Sequence, residues 1–196
     1  MAKADLIIAG VGGQGTLLAG KIIAGTALAE NYDVKSSETQ GMAQRGGSVL
    51  IHVRFSRKVY SPLVPPGEAD FLLAFEQLEA LRSLPWLSPQ GTAVVNMQAI
   101  APLPVLTGEC PYPEGIESML SAGNINVITV NASAEEPVRS HPRSANLFLL
   151  GILARRLPFP RETWLNTIAG LVPLQHLQLN NRAFESGWNW GQVLKC

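Results

Sequence analysis

A short apolar run, Leu6-Ile7-Ile8-Ala9, passes without a break into Gly10-Val11-Gly12-Gly13-Gln14-Gly15. Few folds accept that junction. A run this short and this apolar reads as a strand buried on both faces of a parallel sheet. A G-x-G-x-x-G turn that follows a strand and opens a helix is more specific than the bare pattern. Its glycines have separate tasks: the first makes a tight turn, the second lets an anion approach the backbone, and the third permits close helix–strand packing. The helix beginning at Thr16 adds free N–H groups and a positive dipole end, which suit phosphate. Gly10, Gly12, Gly13, Gln14, Gly15 and Thr16 are therefore expected to face an anionic cofactor, the competing reading being a tight turn with no ligand. A dinucleotide would also want an acid ~20 residues further on. Glu38 is the acid so placed, to hold a ribose or merely to solvate a strand end.

The rest of the chain keeps alternating. Leu17, Leu18, Ile22, Ile23 and Leu28 give Thr16–Glu30 one apolar side, and a second strand is expected at Val34–Ser37. Ser48–Phe55 alternates strictly, with Val49, Ile51, Val53 and Phe55 set against Leu50, His52 and Arg54. It follows its predecessor without an intervening helix, so an antiparallel or irregular connection is expected there. Tyr60–Gly67 is a proline-rich loop. Strands are expected at Ala69–Phe75, Ala93–Asn96 and Asn126–Val130, with helices at Glu76–Leu84 and Glu114–Ala122. Pro102–Pro113 reads as irregular. Three helices, Ala145–Leu157, Pro160–Gly170 and Leu174–Glu185, close the chain as a possible cap on the sheet, two of them started by prolines. The expected fold is α/β: a Rossmann-like, mostly parallel sheet with helices on both faces and a C-terminal helical segment, one domain over residues 1–196.

Composition narrows the function. Fifteen basic residues balance fifteen acidic ones, so no general basic field invites nucleic acid. Two cysteines, Cys110 and Cys196, without a CxxC or Cys/His cluster, do not make an iron–sulfur or zinc site, and no metal ligands are expected. The N-terminus lacks the h-region of a signal peptide, and no stretch reaches the ~20 apolar residues that span a bilayer. A cytoplasmic protein is expected.

The second unusual stretch is Gln40-Gly41-Met42-Ala43-Gln44-Arg45-Gly46-Gly47. Its glycines would expose backbone donors, and Arg45 offers a planar fork for phosphate or carboxylate. In a doubly wound sheet both loops would leave at the edge where ligands bind; a plain surface loop is the competing reading. Catalytic groups do not stand out. There is no nucleophile elbow, no HExxH and no thiamine diphosphate motif. His52, His141 and His176 are scattered, the first more structural than catalytic and the second a loop residue. A ligand loop without an evident catalytic engine suits a subunit.

The runs IIAGVGGQGTLLAGKIIA, SETQGMAQRGGSVLIHVRF and YSPLVPPGEADFLLAFEQLEALR resemble the gamma-type domain of 2-oxoacid:ferredoxin oxidoreductases, the pyruvate/ketoisovalerate family, and within it the indolepyruvate-type beta subunits. SANLFLLG and NNRAFESG extend the likeness more loosely into the second half. The resemblance implies a subunit, inactive alone, of a complex that decarboxylates a 2-oxoacid on thiamine diphosphate. Such a complex passes electrons through iron–sulfur clusters to ferredoxin and releases an acyl-CoA. The thiamine and cluster machinery would lie in a partner subunit, and this chain would hold no cofactor alone. The carried-over positions are Gly10, Gly12, Gly13, Gln14 and Gly15, and Gln40, Gly41, Met42, Ala43, Gln44, Arg45, Gly46 and Gly47. Coenzyme A, the substrate pocket and the partner all stay open as what these loops meet. The approach to the next helix, Ala132–Ser144, lacks a glycine expected there, so no ligand contact near Asn146 is carried over. Two other classes remain: a self-sufficient nucleotide enzyme, NAD(P)-dependent or adenylating (the extra glycine at Gly13 suits the ubiquitin-activating type), and a non-catalytic binding protein. A homodimer of the isolated chain is also open.

Overall fold

The structure is a computed structural model and describes residues 2–40, 47–122 and 125–193. Six strands, β1 (Ala4–Val11), β2 (Asp33–Gln40), β3 (Ser48–Ser56), β4 (Ala69–Ala74), β5 (Leu87–Asn96) and β6 (Asn126–Val130), form one sheet in the order β2-β3-β1-β4-β5-β6. β1, β4, β5 and β6 pair in parallel. β3 runs antiparallel to both its neighbours, β1 and β2. The expected irregularity at Ser48–Phe55 is therefore a single antiparallel strand, β3, placed between β2 and β1 of an otherwise one-directional sheet.

Alternation explains the layers. In β1, Leu6 and Ile8 enter one core and Ile7 and Ala9 the other, and every residue of the strand is buried. On the first face lie α1 (Thr16–Ala29), α5 (Ala145–Ala154), α6 (Arg161–Leu171) and α7 (Leu174–Val193); on the second lie α2 (Gln77–Ser83) and α4 (Ile116–Ser121). The C-terminal helices thus belong to a main layer of the fold, beside α1. An aromatic series, Tyr32, Phe55, Phe159, Trp164, Phe184 and Trp188, runs through that layer with successive centroids 5.0–6.1 Å apart. From Asn146 to Ala154 helix α5 is buried all round, as a helix inside a core must be.

Several boundaries differ from the sequence expectation. β2 extends over Asp33–Gln40 although its residues are polar, because pairing with β3 holds it as an edge strand. β5 starts at Leu87, across a register shift opposite Ala69 and Phe71. Gly91 absorbs that irregularity, since a Cβ there would lie 2.8 Å from the Ala69 carbonyl oxygen. The proline-punctuated stretch contains a four-residue helix, α3 (Leu103–Leu106). Helix α7 runs past Glu185 to Val193 through Gly187 and Gly191; tertiary contact overrides their low propensity. No helix among the described residues is long and apolar enough to cross a membrane.

Candidate functional site at the glycine turn

The register brings the two loops to one edge of the sheet. Gln40 pairs with Val49, and Val49 with Gly10, so the exit from β2, the entry to β3 and the start of the glycine turn lie side by side. The Gly12 N–H donates to the Gly47 carbonyl at 2.9 Å. One residue on, the Ser48 hydroxyl donates to Glu79 at 2.5 Å, anchoring the same strand to α2. Gly41, Met42, Ala43, Gln44, Arg45 and Gly46 lie outside the described residues.

The turn assigns its residues differently from the expected division of labour. Gly10 is still inside β1, and a Cβ there would come 2.7 Å from the methyl of buried Thr16; this glycine provides the strand–helix packing. The positive φ angles fall at Gly13 (100°) and Gly15 (81°), where glycine is the residue that accepts them without strain. Gly12 spends its N–H on Gly47. Gln14 holds the turn itself: its Oε1 accepts from the Val11 N–H at 2.8 Å, and its Nε2 donates to the Phe75 carbonyl at 2.9 Å. Gly13, Gly15 and Thr16 donate their N–H groups to no acceptor among the described residues. Gly15 and Thr16 are among the orphan donors at the start of α1, whose N-terminus has no side-chain cap.

A cavity of about 310 Å³ opens at Gly13 and Gly15, lined further by Gln14, Asn96, Gln98, Arg143 and Asn146 among others. It lies at the carboxyl ends of β1, β4 and β5, the position ligands take in open α/β sheets. Asn96 fixes its floor, donating to the Phe75 carbonyl at 3.2 Å and accepting from the Ala132 N–H at 3.2 Å. Among the described residues its lining contains no carboxylate. Glu76, next to Phe75, turns its buried carboxylate to α2, accepting from the Glu79 N–H at 2.8 Å and the Tyr112 hydroxyl at 2.5 Å. Burial, and then that bond, push the Tyr112 hydroxyl up to about 12, so it remains a donor.

A second cavity of about 580 Å³ shares Pro142, Arg143 and Asn146 with the first and adds Leu18, His141, Val172, His176 and Leu179. His52 is elsewhere and structural: its Nδ1 accepts from the Val64 N–H at 3.1 Å, and burial lowers its pKa. Glu38 does not share a cavity with the turn. It lines a groove with Lys21, Ala24 and Leu171, on the α6 side of α1. Asn146, for which the sequence offered no ligand contact, sits against Gly15, and its Oδ1 accepts from the Leu147 N–H at 2.9 Å. The sequence reading missed Asn96, Gln98 and Arg143 altogether. Asn96 alone left a signal, a polar residue ending an otherwise apolar strand.

Fold and site together define an α/β domain with a donor-lined cavity at its first strand–helix turn, tied to a second loop. The chain belongs to the pyruvate ferredoxin/flavodoxin oxidoreductase family, whose model matches residues 5–190. It is 35% identical over 188 residues to the indolepyruvate oxidoreductase subunit IorB of Methanothermobacter thermautotrophicus, covering 94% of this chain and 95% of that protein. The subunit of the same name from Thermococcus kodakarensis is 34% identical, with 95% of both chains covered. Among solved structures, the gamma subunit of a keto/oxoacid ferredoxin oxidoreductase from Geobacter sulfurreducens shares the fold with a TM-score of 0.72 at 24% identity, over 97% of this chain and 99% of that one. The 2-oxoglutarate:ferredoxin oxidoreductase of Magnetococcus marinus, determined with 2-oxoglutarate, coenzyme A and succinyl-CoA bound, gives a TM-score of 0.76 at 20% identity. That match covers all of this chain and 32% of the other.

Proposed function

We propose that the chain is a non-autonomous subunit of a 2-oxoacid:ferredoxin oxidoreductase of the indolepyruvate type. It acts as a single domain over residues 1–196 and supplies one wall of a composite active site for oxidative decarboxylation to an acyl-CoA. The observation that carries this reading is the cavity at the glycine turn. It presents backbone and amide donors, and among the described residues its lining holds no carboxylate, histidine, cysteine or serine, which suits it to holding an anionic ligand. Similarity to indolepyruvate oxidoreductase subunits over almost the whole of both chains supports the particular complex.

Within it, the N–H groups of Gly13, Gly15 and Thr16 would hold the phosphate groups of coenzyme A, and Gln40–Gly47, with Arg45, would contribute to the same site. Gly10, Gly12 and Gln14 shape the turn. Thiamine diphosphate and the iron–sulfur clusters would be held by the partner subunit, which would deliver electrons to ferredoxin in the cytoplasm. The stand-alone dinucleotide reading is weakened by Glu38, which lies apart from the turn it would have to serve. The test is reconstitution. The chain alone is expected to show no 2-oxoacid-dependent dye reduction, and adding it to the thiamine- and cluster-bearing subunit is expected to restore it. Full activity of the partner alone, unchanged by adding this chain, would refute the proposal.

A further inference from the structure

We propose that two copies of this chain pair through the outer edge of β2, strand against antiparallel strand, about a two-fold axis at Ser37. β2 ends the sheet, and β3 occupies one side of it only. Among the described residues, no hydrogen bond reaches the backbone of residues 34–40 from any element but β3. Proteins blunt such an edge with a proline, a bulge, a very short strand, a covering element or charge. β2 is eight residues long, lacks proline and keeps an unbroken register with β3. Its charges, Lys35 and Glu38, are the safeguard that remains, and they select one way of pairing.

When identical strands pair antiparallel about a two-fold axis, the residue on the axis faces its own copy. An axis at Lys35 or Glu38 sets like charges directly opposite, which is destabilising. One at Ser36 sets the Glu38 carboxylate against apolar Val34, and one nearer either end of β2 pairs only a few residues. An axis at Ser37 avoids all of this: Lys35 meets Thr39, Ser36 meets Glu38, and Val34 meets Gln40. Ser37 is small and exposed, so the strands can close there.

The surface beside the strand fits the same occupant. A groove of about 640 Å³ lies between β2, α1 and α6, and it carries the exposed side chains of Leu28 and Leu171 with one charge of each sign, Lys21 and Glu38. The two-fold axis lays two such grooves together over the seam. Leucines then cover apolar surface, and two carboxylates stand among two ammonium groups, so a second copy brings the charge complement by symmetry. The cavity at the glycine turn lies off this seam, and each copy keeps its own site open.

Sedimentation equilibrium of the full chain is expected to show a dimer at micromolar concentration. Ser37→Asp and Ser37→Lys each place like charges on the axis and are expected to weaken association at least about tenfold. An equimolar mixture of the two variants is expected to dimerise again, because opposite charges then meet on the axis. Hydrogen exchange on the wild type needs no variant: the outer-edge amides of residues 35–39 are expected to slow as chain concentration rises. A wild type that stays monomeric, a variant that dimerises as tightly as wild type, or exchange in β2 that ignores concentration would overturn the proposal, even if a substituted chain failed to fold. Protection of β2 only on adding the thiamine- and cluster-bearing subunit would overturn it in favour of another occupant.

Discussion

Replacing Gly187 by alanine is expected to cost the chain at least ~3 kcal/mol, a large fraction of a typical domain's stability. Ordinarily the sign would be the opposite, because alanine inside a helix is worth up to ~1 kcal/mol over glycine. Here α5 and α7 cross backbone on backbone. A Cβ on Gly187 would overlap the Phe148 carbonyl oxygen and stand 2.7 Å from its carbonyl carbon. Gly151, on the facing helix, is closed off in the same way by the Phe184 carbonyl oxygen and by the Trp188 nitrogen at 2.8 Å. Side chains can rotate away from an added methyl; two helix backbones must separate, and α5 is buried on all sides with nowhere to go. Urea denaturation measures the effect directly. Gly170→Ala is the internal control, since nothing lies within 4 Å of its added Cβ. It should be neutral or stabilising by up to ~1 kcal/mol. Equal stability of Gly187→Ala and wild type would show that the helices are not in such close contact.

Gly15→Ala is the functional counterpart. The expected result is a chain that still folds but no longer binds coenzyme A and no longer supports the assembled complex. Gly15 has φ of 81°, so alanine there carries a left-handed penalty of about 1–2 kcal/mol. Its methyl would also overlap the Asn146 side-chain amide. Displacing Asn146 alters the cavity lining and disturbs the entry to α5 at the same time. Gly13→Ala separates the two effects. Its φ of 100° is equally unfavourable, but an added Cβ meets nothing within 4 Å. It should cost similar stability by denaturation while retaining more of the binding. Equal binding losses in the two variants would mean that backbone strain, and not Asn146, governs the site.

The contrast between these positions shows what was legible in the sequence. The apolar run before the glycines, the strict alternation of Ser48–Phe55 and the proline starts near α6 and α7 are local signals, and each produced its element. The proximity of the two loops was legible as well, because strands leaving a sheet at the same edge must bring their loops together. Long-range geometry was not. SANLFLLG and NNRAFESG stood out as stretches of resemblance, yet only the structure shows that Gly151 and Gly187, at their ends, are the points where two helices touch. The glycine motif suggested tasks for each of its glycines, and the structure redistributed them: packing to Gly10, positive φ to Gly13 and Gly15, and the tie between loops to Gly12. Gln14, expected to face a ligand, lines the cavity and also holds its own turn together, while Asn146 and Arg143 reach the cavity from more than 120 positions along the chain. A motif scan cannot find such residues, because what selects them is placement against Gly15.

The central claim is that the glycine turn is half of a site completed by another polypeptide. Hydrogen–deuterium exchange on the chain, alone and bound to the thiamine- and cluster-bearing subunit, tests it most directly. The account predicts slowed exchange at Gly12–Leu18 and at Arg143–Leu147 on complex formation, with the interior of α7 unchanged. Protection confined to other surfaces, with the turn exchanging as fast in the complex as in the free chain, would contradict it.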